Sequence, residues 1–408
     1  MGESLIYLTD RFPFQPGEHF LEAEINHLAT HFEKITLIPL AETIDEKRKV
    51  REVPENVIVM NAARDDAWQK WQKTGFIGRT LPAMKKPSWW LGDLFRMRPF
   101  QPRALLGELS QVTLLTKCIE SNIDVAAHSA VASFWLNRPA SVAAMLGARN
   151  SHLATFARGH GGDIYPRRRG MRHLPLQSVT ISKLDGVLCD SAAGASHIHK
   201  KFPKYVKKIG VGRLGVENQA EVCPSSDDEV LRVVSLSSLV PVKRVHLIAE
   251  ALRRVEREVL WTHIGDGECR GLVESKIGSL PDNIRVNLVG ALAHELVIKM
   301  LRKGPFDVFI NVSESEGLPV SIMEAFSFGI PVIATDAGGS AEIVDGSCGI
   351  IIPVQHEPAF LAEMIEKLEI SNSMCDAAQK KQRSEYHDSS NQAEFARQII
   401  RVATQKQS

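Results

Sequence analysis

The sequence predicts an α/β protein made of two doubly wound, Rossmann-like domains. Short apolar runs alternate with amphipathic helical patterns along the chain, which is typical of parallel sheets covered by helices. The 408 residues are too many for one ordinary domain. A polar, turn-rich segment at 211–230 separates two such series, so we place the boundary there and predict domains at 1–215 and 216–385.

The elements of the N-terminal domain follow from apolar runs between turn residues. An amphipathic pattern at 17–32 predicts a helix after the first strand. The predicted strands are residues 4–10, 34–40, 57–62 and 185–191, one near 124–128, and one in 152–165 that runs into a Gly-Gly turn.

The C-terminal domain shows a more regular alternation. Its predicted strands are 231–239, 260–267, 284–290, 306–313 and 331–336, and its predicted helices are 244–255, 293–303 and 320–329. A last helix at 386–408 is expected to pack back on the N-terminal domain. Two domains of this kind are expected to face each other across a cleft that binds ligands.

Composition excludes several classes of protein. The formal net charge is +1, so no overall field favours nucleic acid as a partner. The six cysteines include no Cys-x-x-Cys pair, which argues against a disulfide framework and against a metal site. The N-terminus lacks the pattern of a signal peptide, and no apolar run is long enough to span a bilayer. We therefore predict a cytoplasmic protein, with docking on the inner membrane surface left open.

The stretch SESEGLPVSIMEAFSFGIPVIATDAGGSAEIV at 313–344 carries the clearest chemistry. It follows a predicted strand, where ligands bind in open α/β sheets, and Gly317 and Pro319 turn the chain into a helix whose N-terminus suits a diphosphate. Glu316 before the turn and Glu324 inside the helix can each accept hydrogen bonds from a sugar diol. A nucleotide-sugar would satisfy both acids and the helix end, although two solvated glutamates near a helix start remain an alternative.

The same stretch resembles the signature of family-4 retaining glycosyltransferases, which have the two-domain GT-B fold. The similarity extends to the segments 235–252, 261–277 and 283–301, which resemble the phosphate-binding loop and the following elements of that family. ARGHGGDIYPRRR at 157–169 is similar to the His-Gly-x-Asp element of members that act on exopolysaccharide and O-antigen. The resemblance is most specific in the C-terminal domain.

The resemblance implies roles for particular residues. Glu316 would contact the donor hexose and Glu324 the ribose, while the backbone N–H groups of Gly317 and Leu318 would hold the diphosphate together with Lys243.

Three further positions match the family elsewhere. His160 would face the donor sugar, with Asp163 close by, and Gly290 belongs to the segment that holds the nucleotide base. The resemblance also implies retention of anomeric configuration and no metal or other cofactor. UDP-hexose and GDP-mannose both stay open as donors, because they share the same diphosphate and ribose, and we expect a lipid-linked cell-surface saccharide as acceptor.

The chain departs from the family pattern in the phosphate-binding loop. Ser238 stands where the family commonly has arginine, and Arg244 stands where glycine is usual. Ser238 can donate one hydrogen bond but supplies no charge, so Arg244 is the candidate for the missing cation.

Two other stretches are ambiguous. Gly17, Glu18 and His19 lie where the first strand meets the first helix, and contact with the acceptor or a phosphate is as reasonable there as helix capping. Residues 79–103 mix basic and aromatic side chains, including Trp89. This mixture suits a segment that lies on an anionic membrane surface, or a surface helix whose aromatic side chains pack on the domain core.

The sequence leaves two other functions open. A non-hydrolysing nucleotide-sugar epimerase would use the same donor site without an acceptor. A catalytically silent nucleotide-sugar-binding subunit is also compatible with Ser238 in the phosphate-binding loop.

Overall fold

The computed structural model describes residues 3–15, 17–18, 20–41, 50–60, 66–85, 87–89, 91–94, 101–165, 173–224 and 228–407. The chain divides into two compact units. The first comprises Met1–Gly212 and Ser389–Ser408, and the second comprises Arg213–Asp388. The predicted α/β class is confirmed, since each unit is a parallel sheet with interleaved helices.

The described part of the first unit holds a seven-stranded sheet in which every pairing is parallel. The strands are β1 (Ser4–Thr9), β2 (Lys34–Pro39), β3 (Val57–Val59), β4 (Ala130–Ser133), β5 (Ala154–Gly159), β6 (Gly186–Cys189) and β7 (Ile209–Val211). Their order is β3-β2-β1-β4-β5-β6-β7, so the chain reverses direction across the sheet between β1 and β4.

Helices form most of the crossovers that parallel pairing requires. They are α1 (Leu21–Ala29), α2 (Asp66–Lys73), α3 (Phe76–Met84), α4 (Leu91–Leu94), α5 (Pro102–Asn122), α6 (Arg138–Arg149), α7 (Gly161–Ile164), α8 (Gln177–Lys183) and α9 (Ala192–Lys201). No helix in the described ranges is long and apolar enough to cross a membrane.

Two local predictions in this unit are wrong. The strand expected near 124–128 is a 3-10 turn at Val125–Ala127, because the Asp124 carboxylate accepts a hydrogen bond from the Ala126 N–H at 3.1 Å and closes the turn. The Gly-Gly turn expected after β5 is the short helix α7. Both errors concern short turns at the ends of strands, where a few local hydrogen bonds decide the backbone conformation.

The second unit contains a six-stranded sheet in the order β10-β9-β8-β11-β12-β13. Its strands are β8 (Leu231–Leu236), β9 (Val259–Ile264), β10 (Ile284–Gly290), β11 (Val308–Asn311), β12 (Val332–Thr335) and β13 (Gly349–Ile352). Its helices are α10 (His246–Leu252), α11 (Arg270–Ile277), α12 (His294–Lys303), α13 (Val320–Ser327), α14 (Ser340–Ile343), α15 (Pro358–Glu366) and α16 (Asn372–Glu385). This strand order is that of dinucleotide-binding sheets.

The last helix, α17 (Asp388–Gln407), is held on the first unit by a buried arginine. Arg158 on β5 is fully buried and donates to the carbonyl of Gly212 at 3.0 Å and to the Gln392 side chain at 2.7 Å. Its guanidinium also lies 4.1 Å from the ring centroid of Phe395. The charge is balanced by Glu24, whose Oε1 lies 3.3 Å from the arginine Nε.

We predict that Arg158→Met destabilises the first unit by about 3–5 kcal/mol, because the substitution leaves the buried Glu24 carboxylate without its cation, with only the Tyr7 hydroxyl still donating to it. Equilibrium urea unfolding measures this loss. Arg149→Met is the matched control: its pair with Glu120 is partly exposed, so it should cost at most about 1 kcal/mol. Equal losses in the two variants would contradict the account.

Candidate functional site

The candidate site lies at the carboxyl ends of β8 and β11 in the second unit. These strands are neighbours in the sheet, yet the chain continues from β8 to β9 on one side and from β11 to β12 on the other. Such a switch point leaves a crevice outside the strand ends. The two loops meet there, since the Glu314 N–H donates to the carbonyl of Val242 at 2.8 Å.

Lys243 and Glu316 are brought together by this meeting of loops. The lysine Nζ lies 2.6 Å from Glu316 Oε1, and the Asn311 side-chain amide lies 3.3 Å from the same oxygen. Glu316 is only 5% exposed, whereas the Lys243 side chain is 24% exposed. A buried carboxylate thus carries a cation that remains accessible to an anionic ligand.

Glu324 forms a second pair from the first turns of α13. Its carboxylate is 4% exposed, and its Oε1 lies 2.7 Å from Nε2 of His294. His294 is the first residue of α12, and nearly half of its side chain is exposed. The sequence analysis did not identify His294, because only the fold brings the start of α12 beside α13.

The two glycines that follow β12 support the loop carrying Glu316. Gly338 has φ +58°, and a Cβ atom placed there would lie 1.9 Å from the carbonyl oxygen of Glu316. The Gly339 N–H donates to the carbonyl of Gly317 at 2.7 Å. The Gly-Gly pair therefore allows two backbone segments to pack directly, which fixes the turn that leads through Pro319 into α13.

Arg244, the candidate for the missing cation, binds the backbone of neighbouring loops. It adopts φ +47°, and its guanidinium donates to the carbonyls of Val312 at 2.9 Å, Ser313 at 3.3 Å and Val354 at 2.9 Å. Burial lowers the pKa of this guanidinium, with a smaller opposing effect of Glu314. Arg244 therefore holds the loop after β11 in place, and its contact with the diphosphate stays a prediction.

The other predicted donor residues of this unit lie around the same edge. Ser238 is exposed in the loop after β8, and Leu318 is buried beside the turn. Gly290 ends β10 with φ +83°, and its carbonyl accepts from the Gly265 N–H at 2.9 Å. His263 on β9 is buried, and burial lowers its pKa to about 4. Its ring is therefore neutral and packs in the interior of the unit.

His160 of the first unit follows β5 and is nearly buried. Its ring stacks on Phe134 with centroids 4.2 Å apart and meets Trp135 edge-on at 5.2 Å. The Nδ1 atom lies 3.6 Å from Oδ2 of Asp190, a residue that is 3% exposed and that the sequence analysis passed over. The available signal was its position directly after β6, at the same sheet edge as His160.

Asp163 and Glu18 are both engaged by loops of the first unit. Asp163 is fully buried and accepts from the Leu136 N–H at 3.0 Å and from the Asn137 side-chain amide at 3.2 Å. Its carboxylate therefore braces the loop between β4 and α6.

Glu18 closes the loop between β1 and α1. Its carboxylate accepts from the backbone N–H groups of Asp10, Arg11 and Phe12 at 3.2, 2.6 and 2.6 Å, and from the Trp135 indole at 2.5 Å. This arrangement is neither a ligand contact nor a cap of α1. Gly17 has φ +93° in the same loop, and His19 lies outside the described residues.

Comparison with known proteins finds a family model that matches most of the second unit. Residues 222–385 match the family described as glycosyl transferases group 1. The putative colanic acid biosynthesis glycosyltransferase WcaL of Salmonella typhimurium is 25% identical over 340 residues, which are 79% of each chain. The amylovoran biosynthesis glycosyltransferase AmsK of Erwinia amylovora is 26% identical over 175 residues, covering 40% of this chain and 42% of that protein.

Solved structures share the fold of the whole chain. The lipopolysaccharide outer core galactosyltransferase WaaB superposes with a TM-score of 0.68 at 13% identity, covering 98% of this chain and 99% of that one. Anabaena Alr3699/HepE in complex with UDP superposes with a TM-score of 0.65 at 15% identity, over 97% of this chain and 99% of that one. The predicted GT-B fold is thereby confirmed.

We predict that Gly338→Ala destabilises the second unit by about 1–3 kcal/mol, because alanine is strained at φ +58° and its Cβ would clash with the Glu316 carbonyl. Thermal or urea unfolding checks this value. Gly346→Ala is the matched control, since no heavy atom lies within 4 Å of its added Cβ. A Gly338 variant as stable as the Gly346 variant would contradict the packing argument.

Proposed function

We propose that this chain, whose residues 222–385 match the group 1 glycosyl transferases, is a retaining glycosyltransferase that moves a hexose from a nucleotide-sugar to a lipid-linked saccharide. The observation that carries the proposal is the Lys243–Glu316 pair at the switch point of a dinucleotide-binding type of sheet. An accessible cation held by a buried acid is suited to a diphosphate that must bind and then leave.

The donor would bind at the carboxyl edge of the second unit. Glu324 would accept hydrogen bonds from the ribose diol, and His294, whose Nε2 lies 2.7 Å from Glu324 Oε1, would hold that carboxylate in place. The N-terminus of α13 and Lys243 would bind the diphosphate between the two sugars. Glu316 would meet the hexose beside the scissile bond.

The proposed reaction uses charge stabilisation and needs no metal. The bond between the anomeric carbon and the diphosphate oxygen breaks, and the bond to the acceptor oxygen forms on the same face of the sugar. The acceptor proton passes to the departing diphosphate. Lys243 and the helix N-terminus would stabilise the charge on that diphosphate, while the Glu316 carboxylate would stabilise the positive charge on the sugar ring.

UDP-hexose and GDP-mannose are the proposed donors. Alr3699/HepE, which has the same fold, was crystallised with UDP and with UDP-glucose. The names of the relatives WcaL and AmsK place those proteins in colanic acid and amylovoran biosynthesis. We infer from them that this chain acts in cell-surface polysaccharide assembly, on the cytoplasmic side of the membrane.

A lipid-linked acceptor would require contact with the membrane surface, and α3 in the first unit supports one. Ile77, Leu81 and Met84 recur on one face of α3 and are 78%, 55% and 49% exposed, with Phe76 beside them at 46%. Exposed lysines precede and follow the helix, at Lys73 and Lys85 among others, which complements an anionic bilayer.

The proposed membrane surface lies partly before the segment 79–103 expected from the sequence. Trp89 in that segment is buried in the core of the first unit, so packing on the core is its role. Trp90, Phe95 and Phe100 of that segment lie outside the described residues.

We predict that Glu316→Gln lowers the rate of hexose transfer by about 100-fold or more, because the neutral amide no longer stabilises the charged sugar. The measurement is release of nucleoside diphosphate from UDP-glucose, UDP-galactose and GDP-mannose, with and without a lipid extract of the host's membranes. Binding of UDP or GDP, followed by thermal shift, should persist.

Glu314→Gln is the matched control, since Glu314 is exposed two residues away and should leave turnover unchanged. If the rate of nucleoside diphosphate release is the same with and without the lipid extract, and the donor sugar is isomerised, the result would favour an epimerase. Binding of UDP or GDP without any turnover would favour a silent nucleotide-sugar-binding subunit.

We predict that Ile77→Ser with Leu81→Ser weakens binding to vesicles of phosphatidylglycerol and phosphatidylethanolamine by about tenfold or more, because two apolar side chains no longer enter the bilayer interface. Co-sedimentation measures the change. Leu272→Ser on α11 is the control, since that leucine is 43% exposed in the other unit. Unchanged binding of the double variant would rule out α3 as the docking surface.

A further inference from the structure

The pairing of His160 with Asp190 has a consequence for the chemistry of the histidine. Both side chains are more than nine-tenths buried, and the Nδ1 atom faces Oδ2 of Asp190 at 3.6 Å. The other oxygen of Asp190 accepts from the Ser191 hydroxyl at 3.1 Å, and Ser191 itself caps α9. The carboxylate is therefore held in place by the start of a helix.

The opposite ring nitrogen of His160 is buried without a hydrogen-bond partner in the described part of the chain. A buried polar atom left unpaired costs about 1–3 kcal/mol, so such atoms usually have a use. The ring cannot turn freely to find a partner, because Phe134 stacks on one face and Trp135 meets it edge-on. The His160 ring is thus held with Nδ1 facing the Asp190 carboxylate, while Nε2 has no hydrogen-bond partner in the described residues.

At 3.6 Å the contact is longer than a hydrogen bond, but the negative charge of the Asp190 carboxylate favours the neutral tautomer that carries its proton on Nδ1, the ring nitrogen that faces it. The Nε2 atom of that tautomer is an acceptor. An acceptor nitrogen suits the O–H of a sugar and does not suit a phosphate oxygen, which itself needs a donor.

We infer that Asp190 is a positioning residue that fixes His160 as a hydrogen-bond acceptor for a hydroxyl group of the sugar substrate. The inference rests on the proposed glycosyltransferase function and adds the hydrogen-bonding sense of His160 to it. It also distinguishes Asp190 from Asp163, whose carboxylate is engaged by the loop between β4 and α6.

The first test examines the tautomer and requires no turnover. Protein with 15N-labelled histidine is studied by NMR at pH 8.5, and the His160 signals are assigned from their loss in His160→Gln. We expect the Nδ1–H tautomer in the wild type and a loss of that preference in Asp190→Ala. An Nε2–H tautomer in the wild type would overturn the inference, whatever the enzyme's activity.

The second test is a double-mutant cycle on kcat/KM for nucleoside diphosphate release, using whichever of UDP-glucose, UDP-galactose and GDP-mannose gives the fastest wild-type turnover. Asp190→Asn should lower kcat/KM by about tenfold in the wild-type background. The same substitution should have little effect in the His160→Ala background. Equal effects of Asp190→Asn in both backgrounds would show a merely structural aspartate and overturn the inference.

Two controls separate the possible failures. Asp185→Asn removes another carboxylate that holds the fold, through Thr155 and Lys406, and should lower the melting temperature without lowering kcat/KM. If Asp190→Asn does not fold, Asp190→Glu takes its place, and partial activity is expected from the displaced carboxylate. Wild-type protein that turns over none of the three donors would overturn the proposed function, while the NMR result would still decide the tautomer.

Discussion

Parallel strands can be joined only by long crossovers, and this constraint determines where the chemistry of the protein lies. Each crossover returns the chain to the same edge of the sheet, so every loop that follows a strand ends on one side. In the second unit the chain continues in opposite directions across the sheet from β8 and from β11. The loops after these two strands therefore diverge and leave a crevice between them. Lys243 and Glu316, which are 73 residues apart in sequence, become an ion pair for this reason.

A second constraint follows from burial. Carboxylates and guanidinium groups that leave water must be paired, and the protein uses several of them to hold its loops. Glu18 binds three backbone N–H groups, Asp163 braces the loop before α6, and Arg244 binds three carbonyls. Arg158 does the same for the chain's end by holding α17 on the first unit. Polar residues near a sheet edge can therefore hold loops in place as well as bind a substrate.

The pairs Lys243–Glu316 and His294–Glu324 differ from these loop-holding residues in one respect. Lys243 and His294 are partly exposed while their acidic partners are buried, so an incoming ligand can reach the lysine or the histidine before it reaches the acid. The His160 ring presents an unpaired nitrogen that no element of the described chain satisfies. Partial exposure and buried polar atoms without a hydrogen-bond partner are features typical of ligand-binding sites.

The sequence by itself determined the α/β class, the existence of two doubly wound units, and the stretch that holds Glu316 and Glu324, because these depend on local periodicity and on a motif of contiguous residues. It also placed most strands within a few residues, and failed near 124–128, where Asp124 closes a turn. The tertiary structure alone decided that Arg244 and Glu18 hold loops, that Gly338 packs on the Glu316 carbonyl, and that Asp190 and His294 stand beside site residues. Each of these facts depends on which distant segments meet, and a pattern read along the chain contains no distance between segments that only folding brings together.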